Sequence, residues 1–228
     1  MSSAVFLDNV KKVYPGAGGT VALNGVTLEV KEGEFISIVG PSGSGKTTLL
    51  NIMGTLDKPT SGKVYIGGVD VTGMSDDELS RIRNMHIGFI FQSYNLINRL
   101  TALENVSLPL VVRGVGASER RQAALKALEA VGMREKANRK PTELSGGEQQ
   151  RVAIARALAS DPLIILADEP TGNLDSKNSE NIMRVLMEIN REMGKTIVMV
   201  THNMELAKMT RRIIHIRDGS IERVEEVN

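Results

Sequence analysis

The sequence contains no cysteine, so no disulfide framework holds it and its stability must come from a packed core. The same absence agrees with a reducing, cytosolic setting. Aromatic residues make up only 3% of the chain, which makes any exposed ring beside a ligand site informative. No apolar run approaches the roughly 20 residues that span a bilayer. The stretch from Met1 to Val13 carries Asp8, Lys11 and Lys12 and lacks a signal-peptide core. Charge of one sign is also missing. Lys plus Arg (28) almost balances Asp plus Glu (27), so no strong field favours nucleic acid or an acidic membrane. There is no internal repeat, low-complexity tract or long linker. The 228 residues suffice for one large domain or two smaller lobes with a sizeable core.

What is present centres on Gly40-Pro41-Ser42-Gly43-Ser44-Gly45-Lys46-Thr47. This fits the phosphate-loop pattern G-x-x-x-x-G-K-[ST], and it stands between a buried strand, Phe35 to Val39, and a helix opening at Thr47-Thr48. The glycines let the backbone curl so that successive N–H groups face one anion. The helix start adds unpaired donors and partial positive charge. Lys46 supplies a full charge for β- and γ-phosphates, and Thr47 a hydroxyl for Mg²⁺.

Val5–Val13 and Val21–Val30 read as strands joined by the turn Gly16 to Gly19, with Val26, Leu28 and Val30 alternating against Thr27 and Glu29. Pro59-Thr60-Ser61-Gly62 is expected to break the helix after the phosphate loop. A β-arm follows from Lys63 to Val71, then a capping box at Ser75 and a buried strand from Ile87 to Phe91. From Tyr94 to Asp161 the pattern is helical, with a second capping box at Thr101 and helices at Ser118–Val131 and Gly146–Ala159. Leu163–Ala167 and Thr196–Val200 read as buried strands, with a helix between them that stops at Gly194. Asp218-Gly219 joins two closing strands. All-apolar strands alternating with helices imply an α/β fold with a parallel sheet covered on both faces. The helical block is an insertion into that body. The body and a β lobe span about 1–93 and 161–228, and the helical lobe about 94–160.

Ligands of open parallel sheets sit at the carboxyl ends of strands. Polar features occupy such ends here: the phosphate loop, Gln92, Asp168-Glu169 and His202. Together they supply what phosphoryl transfer to water needs. Asp168 would hold Mg²⁺, Glu169 would act as general base, Gln92 would sense both metal and water, and His202 would reach the γ-phosphate. Leu144-Ser145-Gly146-Gly147-Glu148-Gln149 opens another helix and forms a second anion site. Tyr14 reads either as an ordinary strand-end tyrosine or as a platform for adenine.

These motifs jointly resemble the ATP-binding-cassette nucleotide-binding domain along essentially the whole chain. Gly40–Thr47 resembles its phosphate loop, Gln92 its Q-loop, Leu144–Gln149 its signature motif, Leu163–Glu169 its Walker B strand, Gly172–Asp175 its D-loop and His202 its switch histidine. The resemblance implies a RecA-like P-loop NTPase core with an antiparallel β subdomain and an inserted α-helical subdomain. It makes Tyr14 the adenine-stacking ring. It assigns nucleotide contacts to Gly40, Pro41, Ser42, Gly43, Ser44, Gly45, Lys46, Thr47, Thr48, Ser145, Gly146, Gly147, Gln149 and Asp175, with metal contacts from Thr47, Gln92 and Asp168. ATP and Mg²⁺ are the implied cofactors. The implied partners are a second copy, head to tail around two ATP molecules, and integral membrane transporter subunits. The implied place is the inner face of the cell membrane.

A finer resemblance, to the lipoprotein-releasing and macrolide-exporter group, rests on Asn51-Ile52-Met53-Gly54, Leu56-Asp57-Lys58-Pro59, Thr101–Val106 and Pro170–Ser176. Cell-division relatives share much of it. A soluble cassette ATPase acting on nucleic acid or in translation is the alternative, disfavoured by the single cassette and the missing basic stripe. A GTPase is discounted because the Asn-Lys-x-Asp base-reading motif is absent.

Overall fold

In the computed structural model, residues 2–16 and 18–227 are described. Ala17, part of the turn expected between the first two strands, lies outside them. The chain folds around two sheets. The first is antiparallel and combines β1 (Ser3–Tyr14), β2 (Thr20–Lys31), β4 (Ser61–Ile66) and β5 (Val69–Asp70) in the order β2-β1-β4-β5. The second combines β3 (Phe35–Val39), β6 (Ile87–Phe91), β7 (Ile164–Asp168), β8 (Thr196–Val200), β9 (Arg212–Arg217) and β10 (Ser220–Glu226) in the order β10-β9-β3-β8-β7-β6. Its strands run parallel except β10, which closes the edge as a hairpin with β9. That hairpin turns at Asp218 and Gly219, both at positive φ (48° and 74°), as a tight hairpin turn of right-handed twist requires.

The apolar runs are explained by where alternate side chains go. Ile165, Ala167, Ile197 and Met199 enter one core with the helical block, while Ile164, Leu166, Val198 and Val200 enter another with the antiparallel sheet. A strand buried on both faces has no solvent side and so needs no polar alternation. Helix α1 (Lys46–Met53) lies in the second core, its Leu49, Leu50, Ile52 and Met53 buried between the two sheets.

The helix after the phosphate loop does not run on to Pro59. It ends at Met53, with Gly54 as its cap and Thr55 turning the chain out of the helix at φ 54°; Gly54 is packed so closely that a Cβ would lie 2.5 Å from the Phe89 ring. Pro59 instead sits in a loop that returns to β1, where the Thr60 N–H donates to the Lys11 carbonyl at 2.8 Å.

Helix α2 (Asp76–His86) opens on the Ser75–Glu78 capping box, and α3 (Ala102–Val112) on that of Thr101 and Glu104. Then come α4 (Ala117–Ala130) and α5 (Gly146–Leu158), whose buried faces include Ala124, Leu128, Val152, Ile154 and Ala155. Helix α6 (Ser176–Met193) stops at Gly194 in the left-handed conformation, and a short α7 (Met204–Ala207) precedes β9. No helix among the described residues is long and apolar enough to cross a membrane.

Candidate active site

The phosphate loop follows β3 and closes into α1. Gly43 and Gly45 hold φ of 78° and 101°, conformations that side chains resist. Space demands glycine as well: a Cβ on Gly40 would lie 2.2 Å from the Ile216 carbonyl oxygen, and one on Gly45 2.4 Å from that of Ala22. The first amides of α1 have no helical acceptor and converge on the cleft. Lys46 Nζ donates to the carbonyls of Gly40 and Pro41 at 2.9 and 2.8 Å. Ser44 is buried and its Oγ has no hydrogen-bond partner.

The cleft has a volume of about 460 Å³ and is lined by Gly40, Ser42, Gly43, Gly45, Lys46, Thr47 and Thr48, with Glu169 and His202 facing them and Thr20–Ala22 as a wall. Glu169 follows β7 at φ 46°, a strained conformation of the kind that clusters at functional sites. Its N–H donates to the Val200 carbonyl at 3.0 Å, and its Oε2 stands 2.9 Å from His202 Nδ1. Asp168, at the end of β7, is half-buried. Burial, then the charge of Glu169, push its carboxyl above the usual range, and Lys46 partly opposes them. A half-buried carboxylate beside a second one favours a cation. Thr47, Asp168 and Gln92 each carry a hard oxygen donor of the kind that suits Mg²⁺, so they fit that ion by donor chemistry, although Gln92 stands against Asn173 and outside the cleft.

The other expected site residues lie outside this cleft. Gln92 faces the loop after β7: its amide donates to Asn173 Oδ1 at 3.2 Å, and Asn173 Nδ2 returns a bond to the Gln92 carbonyl at 3.0 Å. Gly172 makes that approach possible, since a Cβ there would lie 2.6 Å from Gln92 Nε2. Asp175 caps α6, its carboxylate accepting from the N–H and side-chain amide of Asn178, and those bonds hold its carboxyl below the usual range. Ser145 caps α5 in a box with Glu148. Glu148 is held down to about 2, first by Lys136 and then by the Ser145 N–H. Gln149 donates to the Leu144 carbonyl at 3.0 Å. Gly146 and Gly147 pack closely against Tyr94 and Asn178, a second reason for glycine besides an anion. Tyr14 pairs across the sheet with Thr20, a cleft wall residue, and is 37% exposed, so its ring is accessible beside the cleft.

Two residues that the motifs leave out tie these parts together. Gln150 on α5 is fully buried, and its amide donates to the carbonyls of Phe91 and Pro170, the neighbours of Gln92 and Glu169. Arg156, further along α5, donates to the carbonyls of Tyr94 and Asn95, which hold positive φ just after Gln92. A polar residue on the otherwise apolar buried face of α5 was the available signal for Gln150.

A glycine-rich phosphate cradle at the end of a central parallel strand, faced by a carboxylate and a histidine from neighbouring strand ends, defines a P-loop nucleoside-triphosphate hydrolase. Residues 23–172 match the profile described as ABC transporter. The lipoprotein-releasing system ATP-binding protein LolD of Bacteroides fragilis is 49% identical over 95% of this chain and 99% of its own. The macrolide export ATP-binding/permease protein MacB of Chlorobaculum tepidum is 50% identical over 93% of this chain, which spans 33% of that longer protein. MJ0796 of Methanocaldococcus jannaschii is 56% identical over 97% of this chain and 96% of its own. Its dimeric structure in a post-hydrolysis state, bound to ADP and Pi, superimposes with a TM-score of 0.89 at 53% identity, covering 98% of this chain and 99% of that one. The chain belongs to the ABC transporter family and is an ATP-binding cassette with ATPase activity.

Proposed function

We propose that this cassette powers a membrane transporter of the lipoprotein-release or macrolide-export kind by closing on ATP as a head-to-tail homodimer. The observation that carries the reading is the division of donors within one chain. The phosphate loop, Glu169 and His202 share a cleft, while Ser145, Gly146, Gly147 and Gln149 open another helix outside it. Two donor-rich helix tips that do not share a cleft within one copy suit a triphosphate held between two copies. That the MJ0796 cassette is dimeric with ADP and Pi bound supports a dimer as the working form.

In that arrangement the phosphate loop and Lys46 bind the β- and γ-phosphates, Tyr14 stacks on adenine, and the partner copy's signature donors complete the γ-phosphate cage. Asp175 would lie near the junction of the copies. Thr47, Asp168 and Gln92 would hold Mg²⁺, which neutralises developing phosphate charge. Glu169 takes a proton from water as its oxygen bonds to the γ-phosphorus and the bond to the bridging oxygen breaks, releasing ADP and phosphate. His202 orients Glu169 and donates to the γ-phosphate.

The transporter subunits would dock at the cleft of about 420 Å³ between α2, the end of β6, α3 and α5, lined by Arg83, Asn84, Phe91, Asn95, Val112 and Arg156. Val112 and Leu56, both in its lining, leave 78% and 49% of their surface exposed, apolar area that a partner would cover. The protein would then work at the inner face of the membrane, with no nucleic acid involved. Affinity capture of membrane proteins with the Glu169→Gln variant under ATP tests the reading. Recovery of an integral membrane subunit supports it. Recovery of none, together with hydrolysis stimulated by nucleic acid, refutes it.

A further inference from the structure

We propose that Asp57 is a positioning residue for the nucleotide base, acting through Tyr14, and that the loop Leu56-Asp57-Lys58-Pro59-Thr60 is a bracket that sets the distance between base platform and phosphate cradle. The inference rests on the reading that Tyr14 stacks on the base. The Tyr14 hydroxyl donates to Asp57 Oδ2 at 2.8 Å. The other oxygen of Asp57 accepts from Lys12 Nζ at 2.5 Å and from the Lys58 N–H at 2.8 Å. Lys12 Nζ also donates to the Lys58 carbonyl at 2.8 Å and stands 4.8 Å from the centre of the Tyr14 ring. One carboxylate thus holds both the hydroxyl end of the ring and the ammonium lying over one of its faces. That ammonium interacts favourably with the ring and excludes a base from that side, leaving the opposite face for stacking.

The pair is sheltered. The Lys12 and Asp57 side chains are 13% and 27% exposed, so the contact is screened less than a surface pair. Burial raises the Asp57 carboxyl, but the bonds from Lys12, Tyr14 and Lys58 outweigh it and keep the group below the usual range.

The bracket reaches both ends of the nucleotide site. The N–H groups of Leu56 and Asp57 donate to the Asn51 carbonyl, at 2.8 and 3.3 Å, on the helix that the phosphate loop opens. At the other end Thr60 joins β1, its N–H donating to the Lys11 carbonyl at 2.8 Å and its Oγ1 accepting from the Val13 N–H at 2.9 Å. A ring free to change rotamer must be ordered each time a base stacks on it. A ring held by its hydroxyl is already in place, and that difference falls on affinity for the base alone.

The test is calorimetric titration of the full chain with ADP and, separately, with pyrophosphate, which has no base. Asp57→Ala and Tyr14→Phe are each expected to weaken ADP about three- to fivefold and leave pyrophosphate unchanged. The double variant is expected to bind ADP no more weakly than the weaker single variant, because both changes cut one bracket. Tyr14→Phe removes only the hydroxyl and keeps the test available if Asp57→Ala fails to fold. Weakening of pyrophosphate equal to that of ADP would overturn the inference, since the loop would then act on the phosphate cradle. So would wild-type ADP affinity in both single variants while Tyr14→Ala binds ADP weakly: the ring would stack without a bracket. Unchanged ADP affinity in Tyr14→Ala would instead remove the stacking reading itself.

Discussion

His202 Nδ1 stands 2.9 Å from Glu169 Oε2, so the carboxylate expected to deprotonate water is steered by a side chain from the adjacent strand end. Replacing Glu169 with Gln keeps the shape and removes the base. Hydrolysis should fall by about 10²- to 10⁴-fold while ATP binding persists, and the trapped ATP form should elute as a dimer in gel filtration with light scattering. A variant that stays monomeric with ATP would contradict the sandwich. His202→Ala should lower turnover with ATP affinity within about twofold, since the cradle that binds the phosphates is intact.

Ser145 caps α5 outside the cleft of its own chain. Arginine at that position adds bulk where the partner's γ-phosphate would lie. Ser145→Arg should therefore bind ATP normally as a monomer and fail to dimerise, measured by titration and light scattering in the Glu169→Gln background. Equal loss of both would mean that the signature acts within its own chain.

Asp168 is raised chiefly by burial and then by Glu169. A carboxyl whose folded value exceeds its unfolded one contributes stability that is fully present below the unfolded value and is lost as pH rises through the folded value. At neutral pH the ionised Asp168 is thus a liability that a cation relieves. Asp168→Asn should raise the melting temperature of the metal-free protein at pH 7, with the gain shrinking as pH falls toward the unfolded-state value. It should also abolish the further stabilisation that Mg²⁺ and ATP give the parent protein. Melting curves across pH, with and without Mg²⁺, measure both effects.

Much of this was legible in the residue order because the relevant physics is local. Phe35–Val39 and Thr196–Val200 are apolar except for Ser37 and Thr196, and every residue of both strands is buried. The boxes at Ser75 and Thr101 close over three residues, and both form. The phosphate loop is one continuous segment. What stayed hidden depends on partners far away in the chain. Gln92 faces Asn173 from 81 positions away, and Tyr14 reaches Asp57 from 43. The early end of α1 was hidden as well, because it is made by Thr55 at φ 54°, a residue type that does not announce a left-handed turn.

Gln150 links α5 to the segments that follow β6 and β7. Its amide nitrogen serves the carbonyls of Phe91 and Pro170, while its Oε1 is buried without a partner. Gln150→Met keeps the volume and removes both the donor and the unpaired oxygen. The two carbonyls then lose a donor, a cost of about 1–3 kcal/mol, which loss of the orphan oxygen partly offsets. At about 2–4 °C per kcal/mol for a chain of this size, a drop of a few degrees in melting temperature is expected. Hydrolysis should fall more than ATP binding, because Phe91 and Pro170 directly flank Gln92 and Glu169, whereas among the described residues no side-chain hydrogen bond joins Gln150 to the phosphate loop. A variant that melts earlier but hydrolyses ATP at the parent rate would reduce Gln150 to a packing residue and leave the helix tip uncoupled from the base.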